Sequence, residues 1–162
     1  MSLKEALESI SLEPVSFGWT ALRIHRPEER EEAQIGYSID PDGRSLVSDE
    51  EGSWKDNWVV IGYEDLIGDP IFVDVGVEGY PVYTAMHGTG SWNPILIARS
   101  IQRFSEALGI IAVLSEGRDN PEELRRNPLP ITERDEAIQK IRELDPNIDI
   151  GFWERWLAPY DS

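Results

Sequence analysis

The chain has 162 residues, 40% of them hydrophobic, and its thirty-one acids against fifteen bases leave a net charge of −16. That size and composition support one packed core and exclude general disorder, and a field of this sign opposes direct contact with nucleic-acid phosphates. No run approaches the ~18 apolar residues of a membrane span, the N-terminus has no apolar stretch suited to a signal peptide, and the absence of cysteine excludes disulfides and thiolate metal sites and suits a reducing cytoplasm.

In chain order, Leu3, Leu7 and Ile10 have the spacing of a short amphipathic helix that the Glu13-Pro14 break ends. Val15 to Ile24 has strand-like content around Phe17, Trp19 and Leu22, and Trp19 falls in an apolar pattern expected in the core. Residues 27–32 are too charged for a strand and read as a loop or one exposed helical turn. Ile35 to Ile39 alternates as a strand, and Pro41-Asp42-Gly43 supplies a turn into a second strand at Ser45-Leu46-Val47. Residues 48–57 form a polar loop carrying Trp54.

The centre of the chain runs from Trp58 to Leu108. Trp58-Val59-Val60-Ile61 is a strand closed by Gly62, and Pro70 to Val75 is a second strand with proline at its first position. Gly76 and Gly79 mark a turn into a third strand over residues 81–86. The period then changes to that of a helix. Ile97, Ile101, Phe104, Leu108 and Ile111 share one face, and with Asn93 as N-cap and Pro94 first, a helix is expected over 94–116. That helix should bury Ile97, Ile101, Phe104 and Leu108 against Trp58, Ile61, Phe72 and Val82. Gly109 within it suggests close packing or a kink.

After Gly117, a natural helix stop, residues 118–121 form a boundary and Asn127-Pro128-Leu129-Pro130 a stiff spacer. Thr132 and Asp135 have capping-box spacing before a helix through Ile138, Ile141 and Leu144, and Asp149 caps a last segment containing Trp153 and Trp156. The expected architecture is α+β: a mostly antiparallel curved sheet, a long amphipathic helix on one face, and additional C-terminal helices. It forms one domain over 1–162, with an N-terminal helix and strands to residue 57, a central motif at 58–117 and a helical extension at 118–162.

The order Trp58, Ile61-Gly62, Gly68-Asp69-Pro70-Ile71-Phe72-Val73-Asp74, Pro81-Val82-Tyr83, His87-Gly88 and Ile97-Ala98-x-Ser100-Ile101-x-x-Phe104 resembles the SUKH superfamily. The match covers about a third of the chain, and its most specific part is the Gly-Asp pair between the two strands. That superfamily includes bacterial immunity proteins of toxin systems and Smi/Knr-type regulators of cell-wall synthesis. The resemblance implies a non-catalytic binding protein, either an immunity protein against a toxin such as a nuclease or a cytoplasmic regulator tied to the cell envelope.

Few residues point to catalysis. The two histidines, His25 and His87, are isolated, and with no cysteine and no close-spaced ligand pair no metal or other cofactor is expected. Glu64, Asp65, Asp69 and Asp74 lack the alternation of a calcium loop, and Gly68-Asp69 reads as a turn. Ser91 near His87 lacks the nucleophile-elbow pattern and a specified orienting acid. The His87–Trp92 loop stays open as a small-ligand site. The acidic excess is concentrated: residues 28–80 hold fifteen acids and three bases, a net of −12. A basic protein partner such as a toxin domain is therefore expected, contacted by Asp56, Glu64, Asp65 and Asp69 as an outward acidic rim and by Trp54, Tyr63 and Trp92 as aromatic anchors. Homodimerisation is left open.

Overall fold

In the computed structural model, which describes residues 2–158, six strands form one sheet in sequence order: β1 (Val15–Phe17), β2 (Thr20–Ile24), β3 (Trp58–Glu64), β4 (Pro70–Asp74), β5 (Val82–Thr84) and β6 (Ile95–Ala98). Every neighbouring pair is antiparallel, and the sheet curls into a half-barrel. Five helices accompany it: α1 (Leu3–Leu7), α2 (Ile101–Ser115), α3 (Pro121–Arg126), α4 (Ile131–Leu144) and α5 (Gly151–Trp156). The α+β architecture, with a long helix on one face and further helices after it, matches the sequence expectation.

Alternation along the strands divides the apolar residues between two faces. Ile71 and Val73 of β4, Ile61 of β3 and Val82 of β5 join one cluster with Ile101, Phe104, Leu108 and Ile111 of α2. The same cluster takes Leu7, Ile10, Ile141 and Trp153, so the helices on both sides of the central stretch in sequence share one core. Trp58, Val60, Phe72 and Tyr83 belong to a second, mainly aromatic cluster. The sequence places Trp58 and Phe72 against the helix; they instead line the other face of the sheet, away from α2.

The largest correction concerns residues 94–100. Ile95–Ala98 is a strand, paired with β5 through Val82↔Ala98 and Thr84↔Ile95, and the helix begins only at Ile101. Ser100 is its N-cap, with its hydroxyl oxygen accepting the Arg103 N–H at 3.1 Å. Asn93 instead donates to the Ser91 hydroxyl. Ile97 is buried in either assignment, so its position on the helical spacing could not separate the two; the open edge of β5, which accepts a strand, decides.

Other differences follow from local geometry. Gly62 does not close β3. It lies beyond a register shift, and a Cβ there would sit 2.3 Å from the Arg23 carbonyl oxygen, so the close approach of β2 requires glycine. The 15–24 stretch is two strands, folded back at Gly18-Trp19, and Trp19 at that turn is 48% exposed, not core. Residues 35–47 make only isolated bridges, Ile35↔Ile39, Ile39↔Ser45 and Val47↔Trp54, in place of a hairpin. Thr132 and Asp135 do not cap α4, which starts at Ile131 after Pro130, while Asp135 lies beside Arg134. α1 ends at Leu7, and Ile10 reaches the core from the turn that follows. The boundary at residues 118–121 leads straight into α3, which Asn120 caps and Pro121 starts. Asp149 does accept the Gly151 N–H at the start of α5.

Phe104 is fully buried in the helix-side core, its ring near that of Trp153. Truncation to alanine should cost about 3–5 kcal/mol, enough to depress the melting temperature of a domain of ordinary stability sharply. Thermal unfolding of Phe104→Ala followed by circular dichroism checks this; an unchanged melting temperature would contradict the packing of α2.

Candidate functional site

The carboxylates expected to face outward after β3 are engaged within the chain. Glu64, at the end of β3, is buried, and its side chain accepts hydrogen bonds from the Thr20 hydroxyl and from the backbone N–H groups of Leu66 (2.9 Å) and Ile67 (2.8 Å). It holds the β3–β4 turn closed from beneath. Asp65 accepts from the Ala21 N–H and from Arg23 Nε, both at 2.9 Å, which ties the same turn to β2. Asp69 is 2.6 Å from His87 Nδ1 and also accepts the His87 N–H at 3.1 Å. These three residues position loops and do not form a free acidic rim. Asp56, by contrast, is exposed and makes no hydrogen bond or ion pair among the described residues.

The aromatic residues also turn inward. Trp54 is 1% exposed despite its polar surroundings, and its indole N–H donates to the Trp58 carbonyl at 3.1 Å. Its ring lies within about 5.5 Å of the rings of Tyr37, Trp58, Phe72 and Trp92. Trp92 is half-buried, and its N–H donates to the Gly52 carbonyl at 2.7 Å, joining the His87–Trp92 loop to the 48–57 loop. Tyr63 is half-buried with its ring 5.3 Å from that of His25. Trp54 and Trp92 thus cover the second face of the sheet. Burial, and after it the charge of Asp69, raises the Tyr37 phenol above its ordinary value; burial and then Asp74 do the same at Tyr83.

With these groups engaged, the free charge lies elsewhere. Between β2 and β3, Glu28, Glu31 and Glu32 on the 3₁₀ turns and Asp49, Glu50 and Glu51 on the later loop are exposed. Their side chains make no hydrogen bond or ion pair among the described residues. The ammonium of the nearby Lys55 donates to the Ser48 and Glu50 carbonyls and forms no ion pair with these carboxylates among the described residues. Large apolar side chains are also exposed on the two loops joined by Asp69 and His87: Leu66 (46%), Ile67 (59%) and Met86 (63%). The sequence signal for this exposed group is an apolar pair, Leu66-Ile67, inside a turn.

His87 has an oriented imidazole, but Ser91 accepts from Asn93 Nδ2 and is not bonded to His87, so no nucleophile–base pair is assembled. Among the described residues no group of three or more His, Asp or Glu is placed to hold a metal ion. Comparison with protein-family models, with curated proteins and with solved structures finds no match.

Two expectations follow. Burial depresses the pKa of His25 against the weaker raising effect of Glu29, with Arg30 lowering it further. The fold therefore favours neutral His25, and below about pH 6.5, the ordinary imidazole value, the unfolded chain binds more protons than the folded one. Stability should fall as pH drops through that range, and His25→Gln should flatten this part of the melting-temperature profile; parallel profiles for the two proteins would refute it. Separately, Asp69→Ala should raise amide hydrogen exchange around residues 86–92 by tenfold or more, the loss of about 1.4 kcal/mol of local stability, while α2 stays protected. Unchanged exchange in that loop would show that Asp69 does not fasten it.

Proposed function

We propose that the chain is a non-catalytic binding protein of the cytoplasm whose partner is a basic protein, in the manner of immunity proteins that neutralise toxins. The observation that carries this reading is the set of exposed, unengaged carboxylates on the segment between β2 and β3. The side chains of Glu64, Asp65 and Asp69 are held in local pairs. Those of Glu28, Glu31, Glu32, Asp49, Glu50 and Glu51 are left to solvent. A nuclease-type toxin must be basic where it grips phosphate, and an acidic surface covers such a site by imitating the charge of the nucleic acid. The resemblance of residues 58–108 to SUKH proteins points the same way.

Charge steers association but supplies little affinity at an exposed rim, since salt screens it over about 8 Å at physiological ionic strength. Affinity needs apolar anchors. Trp54 and Trp92 are committed to the aromatic cluster, so the anchors in this reading are Ile67 and Met86.

The test is capture of a basic protein from extract of the source cells at low salt, followed by surface-based kinetics with that protein. Simultaneous reversal of Asp49, Glu50 and Glu51 to lysine should slow association roughly tenfold and reduce its salt dependence. Ile67→Asp should instead speed dissociation. An association rate indifferent to both salt and charge reversal would refute electrostatic recognition. If no basic protein is retained, a regulator tied to the cell envelope becomes the better reading.

A further inference from the structure

A groove of about 390 Å³ opens between the turn of the β1–β2 hairpin and the connection from α3 to α4. Its apolar lining includes Trp19, Leu124, Leu129 and Ile131, of which Trp19 is 48% and Ile131 74% exposed. Its charged lining is Arg125 and Arg134, and among the described residues no carboxylate lines it. Two other grooves are acidic on balance. The groove beside α1 is lined by Glu5 and Glu78, and the one between α2 and α4 by Glu106, Glu133 and Glu136 with Lys140.

Both guanidinium groups have donors to spare. Arg125, exposed on α3, makes no side-chain hydrogen bond or ion pair among the described residues. Arg134 donates from Nη2 to the Glu154 carbonyl at 3.2 Å and has Nη1 3.6 Å from Asp135 Oδ1, while its Nε–H is enclosed with no acceptor. An enclosed N–H without an acceptor is costly, and in a native fold it calls for an explanation.

We propose that this groove binds a small amphipathic carboxylate, with its apolar body against Trp19 and Ile131 and its carboxylate on Arg125 and Arg134. Two features select that class. A guanidinium is a planar fork matched to a carboxylate, and the apolar walls reward a hydrocarbon body that inorganic phosphate lacks. The volume lies at the small end of the range for ligand pockets. Neither the acidic surface nor a protein partner is needed for this site.

The test is NMR titration of the full chain with phenylacetate and with neutral phenylacetamide, read at the Trp19 indole N–H and the Ile131 methyl groups. The Trp19 resonance is assigned with Trp19→Phe. Phenylacetate should give saturable shifts at both positions, and phenylacetamide should bind at least about tenfold more weakly. Arg125→Gln should weaken phenylacetate by a similar factor and leave phenylacetamide unchanged. Arg125 has no structural partner among the described residues, so this variant remains decisive even if Arg134→Gln fails to fold. Equal binding of acid and amide, indifference to Arg125→Gln, or no saturation of either compound at millimolar concentration would overturn the proposal. Binding seen only after deletion of residues 159–162 would assign the groove to the chain itself and overturn it equally.

Discussion

Ile71, Phe72 and Val73 of β4 are all fully buried, and strand alternation sends Phe72 to the opposite face from its two neighbours. A sheet that is apolar on both faces needs two covers. The helices supply one. The other is the long segment between β2 and β3, which has only two 3₁₀ turns and isolated bridges and so cannot satisfy its backbone within regular structure. Gln34 joins this segment to the sheet. Its Nε2 donates to the Val60 carbonyl and its Oε1 accepts the Val60 N–H, both at 2.9 Å, which gives β3 the neighbour that β2, ending at Ile24, no longer provides. Trp54 then fills the space above Phe72 and Trp58.

This second cover determines what the surface can offer. Because Trp54 is turned towards the sheet, the same segment presents Glu28, Glu31, Glu32, Asp49, Glu50 and Glu51 outward along with Ile35 and Leu46, and a separate exposed apolar group, Leu66, Ile67 and Met86, lies on the loops joined by Asp69 and His87. The groove lined by Arg125 and Arg134 is built from other elements, between β1–β2 and the helices after α2.

The parts of the fold legible in the sequence were those where one pattern had one structural solution. β3 and β4 carried runs of apolar, β-branched and aromatic residues, the α2 face from Ile101 to Ile111 carried clear periodicity, and the turn at Gly76 and Gly79 had the residues that turns require. Residues 95–98 were read as helix because Ile97 fits both a helical stripe and a strand facing the same core; only the partner strand β5, a tertiary fact, resolves them. The side-chain roles were harder to see. Glu64, Asp65 and Asp69 look alike as acidic loop residues, and what distinguishes them is Thr20, Arg23 and His87, between 18 and 44 positions away. Gln34 gave no signal at all, since a lone glutamine in a charged stretch does not announce which backbone group it will meet.

Amide hydrogen exchange on Gln34→Ala tests most directly whether the sheet has two separately held covers. If Gln34 fastens the irregular cover to β3, the Val60 amide and the amides of residues 36–56 should lose protection together while those of α2 keep theirs. Retained protection of the Val60 amide in the variant, or equal loss across α2 and the cover, would contradict that arrangement.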